Sequence, residues 1–447
     1  MEDGATRDIS AFFQDVKRIG FLGFGKTNRA LFELLRTRTD LEFVIRDERE
    51  SLPGVPAGRV KLLLGKRCFE RDSENVILLS PSVRRERQEV MELAKEGAVI
   101  SSDAELFFSC KPKNVLAVTG SDGKSTTTSL AAAILKESGH DAHACGNLGL
   151  PMTPLLKNKD AFFVTELSSF MLRYMKPHSR RATVTNLTPN HLNWHASLDE
   201  YREAKMNIYE NADECVLCAD MSPLTSKRAY AVFSAEQSFR ELKCKLSAEA
   251  YFTFESGILC KNGTALVERA CIPLVGIHGT KNALAALALT DGFCDTDAAV
   301  RALTSFRGLP HRCELVDTFL GIRYYDSSID STPERTKTTL EVFSSPVTVI
   351  LGGRNKGLSY EPLVNALKLH AEAAVLLGEN ADELSAYLRD KIPCPIYKAT
   401  DMRDAVEIAS GLGSDVLLSP AATSFDRYSG FEERGLDFKR AVGKLKN

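Results

Sequence analysis

Short apolar runs alternate with amphipathic stretches through the first hundred residues of the chain. In residues 16–37 an apolar strand is followed by a glycine turn and then by an apolar spacing that is typical of a helix. Four further segments continue the alternation: LEFVIRDERE (41–50), KLLLGK (61–66), NVILLSPSV (75–83) and VMELAKEGAVISSD (90–103). Strands that are separated by helices in this way predict a parallel, doubly wound α/β sheet.

The alternation starts again near residue 111 and a third time near residue 307. The second region predicts the strands NVLAV, AFFVTEL, ATVTNL and ECVLC and the helices YREAKMNIYENA and GTKNALAALALTDGF; the third predicts the strands GIRYYDSS, PVTVILGG, AAVLLGE, PIYKA and DVLLSP. Between residues 228 and 275 the pattern becomes short and turn-broken, which predicts an antiparallel insertion. We therefore expect three α/β domains, with the boundaries 1–103, 104–308 and 309–447.

The composition narrows the possible functions. The 57 basic and 59 acidic side chains nearly cancel, which argues against a nucleic-acid binder whose affinity comes from neutralising phosphates. The eleven cysteines have no metal-ligand spacing and predict reduced, mostly buried thiols. The amino terminus lacks the apolar core of a secretory signal, and no run approaches the roughly 18 apolar residues of a membrane span. We expect a soluble, cytoplasmic protein without membrane insertion.

The stretch VTGSDGKSTTT, residues 118–128, is similar to a Walker A loop in which Val118 replaces the first glycine. Gly120 and Gly123 permit backbone torsions that let successive amide groups converge on an anion, and Lys124 adds a positive charge. A hydroxyl from Ser125 or the next threonine can bind magnesium, and the following helix directs its dipole at the same place. The stretch predicts a phosphate site; the alternative is a capped glycine turn before a helix.

Three residues downstream suggest further chemistry. Glu166 ends an apolar strand, where a carboxylate is costly unless it meets a cation such as Mg²⁺; the alternative is a surface ion pair. His191 and His195 have a spacing compatible with one helical face, but no third ligand indicates zinc, which favours a structural or single-ligand role. Lys205 lies on the next predicted helix and, on its own, is typical of an exposed helix lysine.

Together, TGSDGKSTT, ELSSF and TNLTPNHLNWH resemble the ATP-dependent Mur ligase family, and the resemblance extends over residues 18–439. The short loop is the form that this family uses. The segments LLSPAATSFDRYSGFEERGLDF, GNLGLP, FRGLPHR and ILGGRNKG resemble the branch that adds D-glutamate. The resemblance implies an amino-terminal Rossmann-like UDP-binding domain, a central P-loop ATPase-type domain and a carboxy-terminal Rossmann-like domain for the amino acid.

The resemblance also implies the reaction and the roles of individual residues. A carboxylate of UDP-N-acetylmuramoyl-L-alanine attacks the γ-phosphate of ATP, and the amine of D-glutamate displaces phosphate from the resulting acyl phosphate. The implied catalytic residues are Lys124, His191 and Lys205. The resemblance implies two Mg²⁺ ions, the second held by a carbamylated Lys205, and the implied ligands are Ser125, Glu166, His191 and Lys205. The implied ATP contacts are Gly120, Ser121, Asp122, Gly123, Lys124, Ser125, Thr126, Asn282, Arg312 and Asp326.

The substrate contacts implied by the resemblance fall into two groups. Those for the UDP-linked substrate are Lys26, Thr27, Asp47, Ser80, Asn147 and Ser168. Those for D-glutamate are Lys356, Ser424, Phe425 and Phe431. We expect a monomer in which the third domain closes over the second around the GLPHR segment.

The chain departs from the family pattern in three places. Ser328, in DSSIDST, stands where the family often has lysine, and Gly279, in HGTKN, replaces the first asparagine of HNxxN. Asn190 and Asn193 occupy positions that are often acidic. Two other functions therefore stay open: a sister ligase for another amino acid, and a nucleotide-binding regulator without turnover.

Overall fold

The computed structural model describes residues 9–55, 59–148, 150–158, 160–188, 195, 197–221 and 228–446. The chain divides into two compact units. The first comprises Met1–Thr253, Lys261–Thr264 and Leu284–Ala299, and the second comprises Phe254–Cys260, Ala265–Ala283 and Val300–Asn447.

The amino-terminal part of the first unit contains a five-stranded sheet with the order β3-β2-β1-β4-β5. All of its neighbouring strands are parallel, as the alternating pattern predicted. Its strands are β1 (Arg18–Leu22), β2 (Glu42–Asp47), β3 (Val60–Leu64), β4 (Val76–Leu79) and β5 (Val99–Ser102). Its helices are α1 (Ile9–Phe12), α2 (Lys26–Leu35), α3 (Gln88–Lys95) and α4 (Asp103–Ser109).

The second sheet follows in the chain. Its strands are β6 (Val115–Thr119), β7 (Ala142–Gly146), β8 (Phe162–Glu166), β9 (His178–Val184), β10 (Asn211–Cys218), β11 (Ala229–Ser234), β12 (Ala250–Glu255), β13 (Ile258–Lys261) and β14 (Thr264–Glu268). The helices of this region are α5 (Lys124–Glu137), α6 (Ser169–Leu172), α7 (Leu198–Met206), α8 (Phe239–Lys245), α9 (Gly276–Thr290) and α10 (Thr296–Ser305). From β12 to β7 the strand order is β12-β11-β10-β9-β6-β8-β7, with every pair parallel.

The prediction of an antiparallel insertion between residues 228 and 275 is wrong for the first half of this range. Strands β11 and β12 extend the parallel sheet, and helix α8 forms the crossover between them. A parallel connection requires such a crossover. Ser238 and Glu241 form a capping box at the start of α8, in which the Ser238 amide donates to Glu241 Oε2 at 2.8 Å. The S-x-x-E spacing was therefore the missed signal.

The third sheet belongs to the carboxy-terminal part of the chain and has the order β15-β16-β20-β17-β18-β19. Strands β15 and β16 form an antiparallel hairpin, and the other pairs are parallel. The strands are β15 (Glu314–Phe319), β16 (Ile322–Asp326), β17 (Val347–Leu351), β18 (Ala371–Leu376), β19 (Ile396–Lys398) and β20 (Val416–Leu418). The helices are α11 (Pro333–Leu340), α12 (Glu361–His370), α13 (Ala381–Leu388), α14 (Met402–Ser410) and α15 (Phe431–Lys444).

These three sheets confirm the predicted α/β class. No disulfide joins the eleven cysteines, which all lie within the described ranges, and six of them are buried, which agrees with the expectation of mostly buried thiols. Within the described parts of the chain, no helix has both the length and the apolar character that crossing a bilayer requires.

Candidate functional site

The glycine loop of residues 120–123 connects strand β6 to helix α5 in the first unit. Gly120 has a φ of 153°, and a Cβ at this position would lie 1.9 Å from Thr185 Oγ1. Gly123 has a φ of 77° and caps the amino terminus of α5. Both positions adopt torsions that only glycine tolerates without strain, so the spacing of the two glycines is a structural requirement of this loop.

The segment that follows β9 holds the loop in place. Thr185 Oγ1 donates to Asp122 O at 2.7 Å, and Asn186 Oδ1 accepts from the amides of Ser121 and Asp122 at 3.1 and 2.9 Å. Ser121 Oγ donates to Thr188 O at 2.8 Å. The loop is thus preorganised before any ligand arrives, which lowers the cost of binding one.

Two lysines converge on this loop. Lys124 Nζ donates to Gly120 O and Ser121 O at 3.0 and 2.8 Å, and Lys205 Nζ, on α7, donates to Gly120 O at 2.6 Å. Lys205 is only 2% exposed, so the alternative of an exposed helix lysine is wrong. Burial and the neighbouring charge of Lys124 lower the pKa of Lys205 to about 7. The positive charges concentrate where an anionic ligand would sit.

Glu166 ends β8 and lies beside Val118 of β6. Its Oε1 accepts a hydrogen bond from Asn147 Nδ2 at 2.8 Å. Its Oε2 is buried and has no hydrogen-bond partner within the part of the chain that the structure describes. The residue is 1% exposed, so the alternative of a surface ion pair is wrong. A buried carboxylate oxygen without a partner is costly, and a hard cation would satisfy it.

The chemistry of this loop therefore fits Mg²⁺. Ser125 lies in the first turn of α5, which packs against β8, the strand that ends at Glu166. A hydroxyl and a carboxylate are ligands that Mg²⁺ accepts. Lys205 fits a metal only after conversion to a carbamate, because an ammonium group has no lone pair to donate. His191 lies outside the described residues.

His195 occupies a packed position near this site. Its Nε2 lies 3.0 Å from Ser169 Oγ, and its ring stacks on Phe170 with the centroids 5.7 Å apart. Burial lowers the pKa of His195, which favours the neutral imidazole. These contacts agree with the structural role that the sequence favoured over zinc binding.

Two adjoining clefts in the first unit contain most of the residues predicted to bind the UDP-linked substrate. A cleft of about 440 Å³ is lined by Thr27, Ser80, Asn147 and Ser168. A neighbouring cleft of about 770 Å³ is lined by Asp47 and again by Ser80. Lys26 is the first residue of α2, and its side chain is exposed. The structure therefore brings together residues from five separate segments of the sequence.

Asp47 is fixed at the end of β2 by its neighbours. Its carboxylate accepts from the Phe24 amide at 2.7 Å and from Arg49 Nε at 2.7 Å. Arg49 holds the pKa of this carboxyl well below its usual range, at about 2. The carboxylate is therefore ionised at neutral pH and connects the second strand to the glycine turn after β1.

Asp103, which no sequence pattern indicated, connects the amino-terminal sheet to the 440 Å³ cleft. It opens α4, lines the 440 Å³ cleft, and accepts from the amides of Met152 and Thr153 at 2.7 and 3.0 Å. It thereby fixes the segment that follows Asn147. In the sequence it was one more polar residue after a strand, and nothing there indicated a buried acceptor.

Replacing Asp103 with alanine is expected to destabilise the chain by about 2–4 kcal/mol, because two buried amides lose their acceptor. Asp103→Asn, which keeps one acceptor oxygen, should lose less. The measurement is urea unfolding. Asp297→Ala removes an exposed first-turn aspartate from α10 and should change the unfolding free energy by no more than about 0.5 kcal/mol. Equal losses for Asp103→Ala and Asp297→Ala would contradict this role.

In the second unit, two loops carry residues that were predicted to bind D-glutamate. The loop after β17 contains Lys356, and the loop after β20 contains Ser424 and Phe425. The loops are bridged by the backbone, since Arg354 N donates to Thr423 O at 2.9 Å and the reverse bond is 3.0 Å. Ser424 is 3% exposed, Phe425 is 60% exposed, and Lys356 is exposed. Phe431 begins α15.

One predicted nucleotide contact of the second unit, Asp326, contacts a histidine that was not predicted, His311. Asp326 ends β16 and is fully buried, and its Oδ2 lies 2.7 Å from His311 Nδ1. Gly435 of α15 allows this arrangement, because a Cβ there would lie 2.0 Å from His311 Nδ1. Arg312 adjoins His311, and Asn282 lies on α9. His311 has a φ of 60°, an uncommon torsion that the sequence does not reveal.

His311, Glu314 and Asp326 place ligand-type atoms close enough together to hold a cation. Lys439 already supplies a cation to the group, because its Nζ donates to Glu314 Oε2 at 2.7 Å and lies 4.0 Å from Asp326 Oδ2. The group is therefore an ion-pair cluster, and no metal role is assigned to it.

The structure shows the surroundings of two of the residues that depart from the family pattern, Gly279 and Ser328. Gly279 lies in α9 where a Cβ would come within 2.8 Å of Leu274 Cβ, so an asparagine would not fit without a shift. Ser328 is fully buried, donates to Phe431 O at 2.8 Å and accepts from Arg434 Nε at 3.0 Å. Asn190 and Asn193 lie outside the described residues.

Comparisons with known proteins agree with this geometry. Residues 118–290 match the family model of the Mur ligase middle domain. The chain is 32% identical to the UDP-N-acetylmuramoylalanine–D-glutamate ligase of Acetivibrio thermocellus, over 96% of this chain and 97% of the relative. It is 33% identical to the ligase of the same name from Ruminiclostridium cellulolyticum, over 98% of this chain and 99% of the relative.

Solved structures show the same fold at lower identity. The crystal structure of UDP-N-acetylmuramate-alanine ligase from Thermotoga maritima matches with a TM-score of 0.58 and 19% identity, over 96% of this chain and all of that one. A pseudomurein peptide ligase type C from Methanothermus fervidus matches with a TM-score of 0.52 and 17% identity, over 96% of this chain and all of that one.

Proposed function

Because this chain belongs to the Mur ligase family and matches D-glutamate ligases over nearly its full length, we propose that it is an ATP-dependent ligase of peptidoglycan precursor synthesis. It joins D-glutamate to UDP-N-acetylmuramoyl-L-alanine. The observation in the structure that carries the proposal is the glycine loop, on which two lysines converge, together with the buried Glu166 oxygen that has no hydrogen-bond partner among the described residues. These are the groups that phosphoryl transfer to a carboxylate needs.

The reaction proceeds in two steps. The alanine carboxylate attacks the γ-phosphate of ATP, so an acyl-phosphate bond forms and ADP leaves. The amine of D-glutamate then adds to the acyl carbon, and the tetrahedral intermediate releases phosphate as the amide forms. Because the transferring oxygens carry the charge, positioning and cations contribute more than any single base.

This chain's own residues would supply that positioning. The first-turn amides at the amino terminus of α5 would face the β- and γ-phosphates, and Lys124 would leave the loop carbonyls to bind them. Ser125 and Glu166 would hold Mg²⁺, which supplies charge neutralisation for the transferring phosphoryl group. His191 is a further predicted ligand.

Lys205 is proposed to bind a second magnesium as a carbamate. The lowered pKa leaves much of its amine unprotonated near neutral pH, and only an unprotonated amine reacts with CO₂. The resulting group would lie next to Gly120, where the amine now donates to the carbonyl. Burial to 2% exposure would protect the carbamate from water.

The remaining substrate contacts are proposed from the clefts and loops already described. The UDP-linked substrate would occupy the two clefts of the first unit, and D-glutamate would contact Lys356 and Ser424 of the second. The ATP contacts Asn282, Arg312 and Asp326 also stay predictions. A monomer, a cytoplasmic location and the domain boundaries 1–103, 104–308 and 309–447 rest on the sequence alone.

The decisive experiment measures ATP-dependent phosphate release with UDP-N-acetylmuramoyl-L-alanine and a panel of amino acids. D-glutamate is expected to give the highest rate, with L-glutamate and L-alanine near background. A different preferred amino acid would indicate a sister ligase. ATP binding without phosphate release or product for any amino acid would indicate a regulator and contradict the proposal.

A further inference from the structure

The two clefts of the first unit meet at one short segment. Residues 80 and 82–84 line both the 440 Å³ cleft and the 770 Å³ cleft, and we call residues 80–84 the ridge. On one side of the ridge the lining includes Asp47 and Arg49; on the other it includes Asn147 and Ser168. A ligand that occupies both clefts must cross the ridge.

The charges around the ridge are almost all paired within the protein. Five carboxylates line the two clefts, and each contacts a partner: Asp47 contacts Arg49, Glu48 contacts Arg87, Glu86 contacts Arg173, Asp103 contacts two amides, and Glu105 contacts Arg85. Among the described residues, four arginines line the clefts, and three of them belong to these pairs.

Arg84 is the exception. Its guanidinium has neither a hydrogen bond nor an ion pair with any residue in the described ranges, and its side chain is exposed at the point where the clefts join. Arg85 and Arg87, its neighbours in sequence, are held by Glu105 at 2.8 Å and Glu48 at 2.8 Å. Of the arginines that line the clefts within the described part of the chain, Arg84 is therefore the one whose donors are available to a ligand.

We propose that Arg84 binds the diphosphate of the nucleotide-sugar substrate and makes the site selective for a nucleoside diphosphate over a nucleoside. This rests on the proposed function, in which the substrate carries UDP. The diphosphate joins the nucleoside to the sugar, so a substrate that spans both clefts places it at the ridge. A guanidinium presents paired donors that match phosphate oxygens and keeps its charge at every physiological pH.

The specificity follows from what each ligand offers to Arg84. Uridine gains nothing from this side chain, whereas UDP gains at least one charge-assisted hydrogen bond. Such a bond corresponds to a change of roughly tenfold or more in the dissociation constant. Because the side chain is exposed, the gain should shrink as salt is added.

The test compares the dissociation constants of UDP and uridine for the wild type, Arg84→Ala and Arg84→Lys at low and high salt. We expect Arg84→Ala to weaken UDP binding about tenfold, to leave uridine binding unchanged, and to reduce the salt dependence of UDP binding. Arg84→Lys should recover part of the affinity, since it keeps the charge without the paired donors.

Arg71→Ala serves as the matched control, because Arg71 is an exposed arginine of the same part of the chain that lines neither cleft. It should bind both ligands like the wild type. If Arg84→Ala and the wild type bind UDP equally, or if the variant weakens uridine binding as much as UDP binding, Arg84 does not bind the diphosphate. If the wild type does not bind UDP at all, the proposed function itself is contradicted.

Discussion

Replacing Lys124 with alanine is expected to slow amide formation by at least about a thousandfold while leaving the fold intact. In the structure the Lys124 ammonium group donates to two loop carbonyls, at 3.0 Å from Gly120 O and 2.8 Å from Ser121 O. These are contacts that a nucleotide can replace. In the proposed reaction the same ammonium group faces the charge that develops on the transferring phosphoryl oxygens, where its loss is most damaging.

The measurement is the phosphate-release rate at saturating ATP, UDP-linked substrate and D-glutamate, together with the melting temperature. Lys136→Ala removes a lysine from the exposed last turn of the same helix and is the matched control. It should retain the wild-type rate. A Lys124→Ala variant that melts like the wild type and still releases phosphate at more than a tenth of its rate would exclude the assigned role.

The elements around this loop could be predicted from the sequence because each depends on local pattern. The apolar run at residues 115–119 forms β6, and the helix predicted after the glycines begins at Lys124. The same holds for β1 and α2 around the first glycine turn. Strands covered on both faces form continuous apolar runs, which are the strongest strand signal in an α/β sheet.

The neighbours of each strand could not be predicted from these patterns. Strand β6 lies between β8 and β9, so Glu166 comes to lie beside Val118 although the chain forms another strand and two helical segments in between. Hydrophobic periodicity describes which face of an element is buried but not which element covers it. The contact between Asn147 and Glu166 therefore emerges only from the sheet order.

The burial of single polar residues could not be predicted from the sequence either. Glu166, Lys205 and Asp103 were each compatible with an exposed position, and each is almost fully buried. A polar residue within an apolar run is normally placed at a surface or element end, since burying it is costly without a partner. The partners come from distant segments: the Gly120 carbonyl for Lys205, and two amides of residues 152 and 153 for Asp103.

The second large expected effect on the ligation rate concerns the buried Lys205. Lys205→Ala is expected to slow ligation at least about a hundredfold, because alanine cannot form the proposed carbamate that holds a magnesium ion near the phosphates. Small carboxylates such as formate or acetate should restore part of the rate, since they can occupy the vacated volume with the same charge and donor atoms. The measurement is phosphate release as a function of carboxylate concentration.

Lys205→Arg separates a carbamate from a simple cation. Arginine keeps the positive charge next to Gly120 but cannot form the carbamate, so this variant should be as slow as Lys205→Ala and should gain nothing from added carboxylate. If the ammonium itself contacted the phosphates, Lys205→Arg would keep most of the rate and carboxylates would have no effect on Lys205→Ala. That result would assign Lys205 to direct phosphate binding, beside Lys124, and leave Ser125 and Glu166 as the magnesium ligands within the described residues.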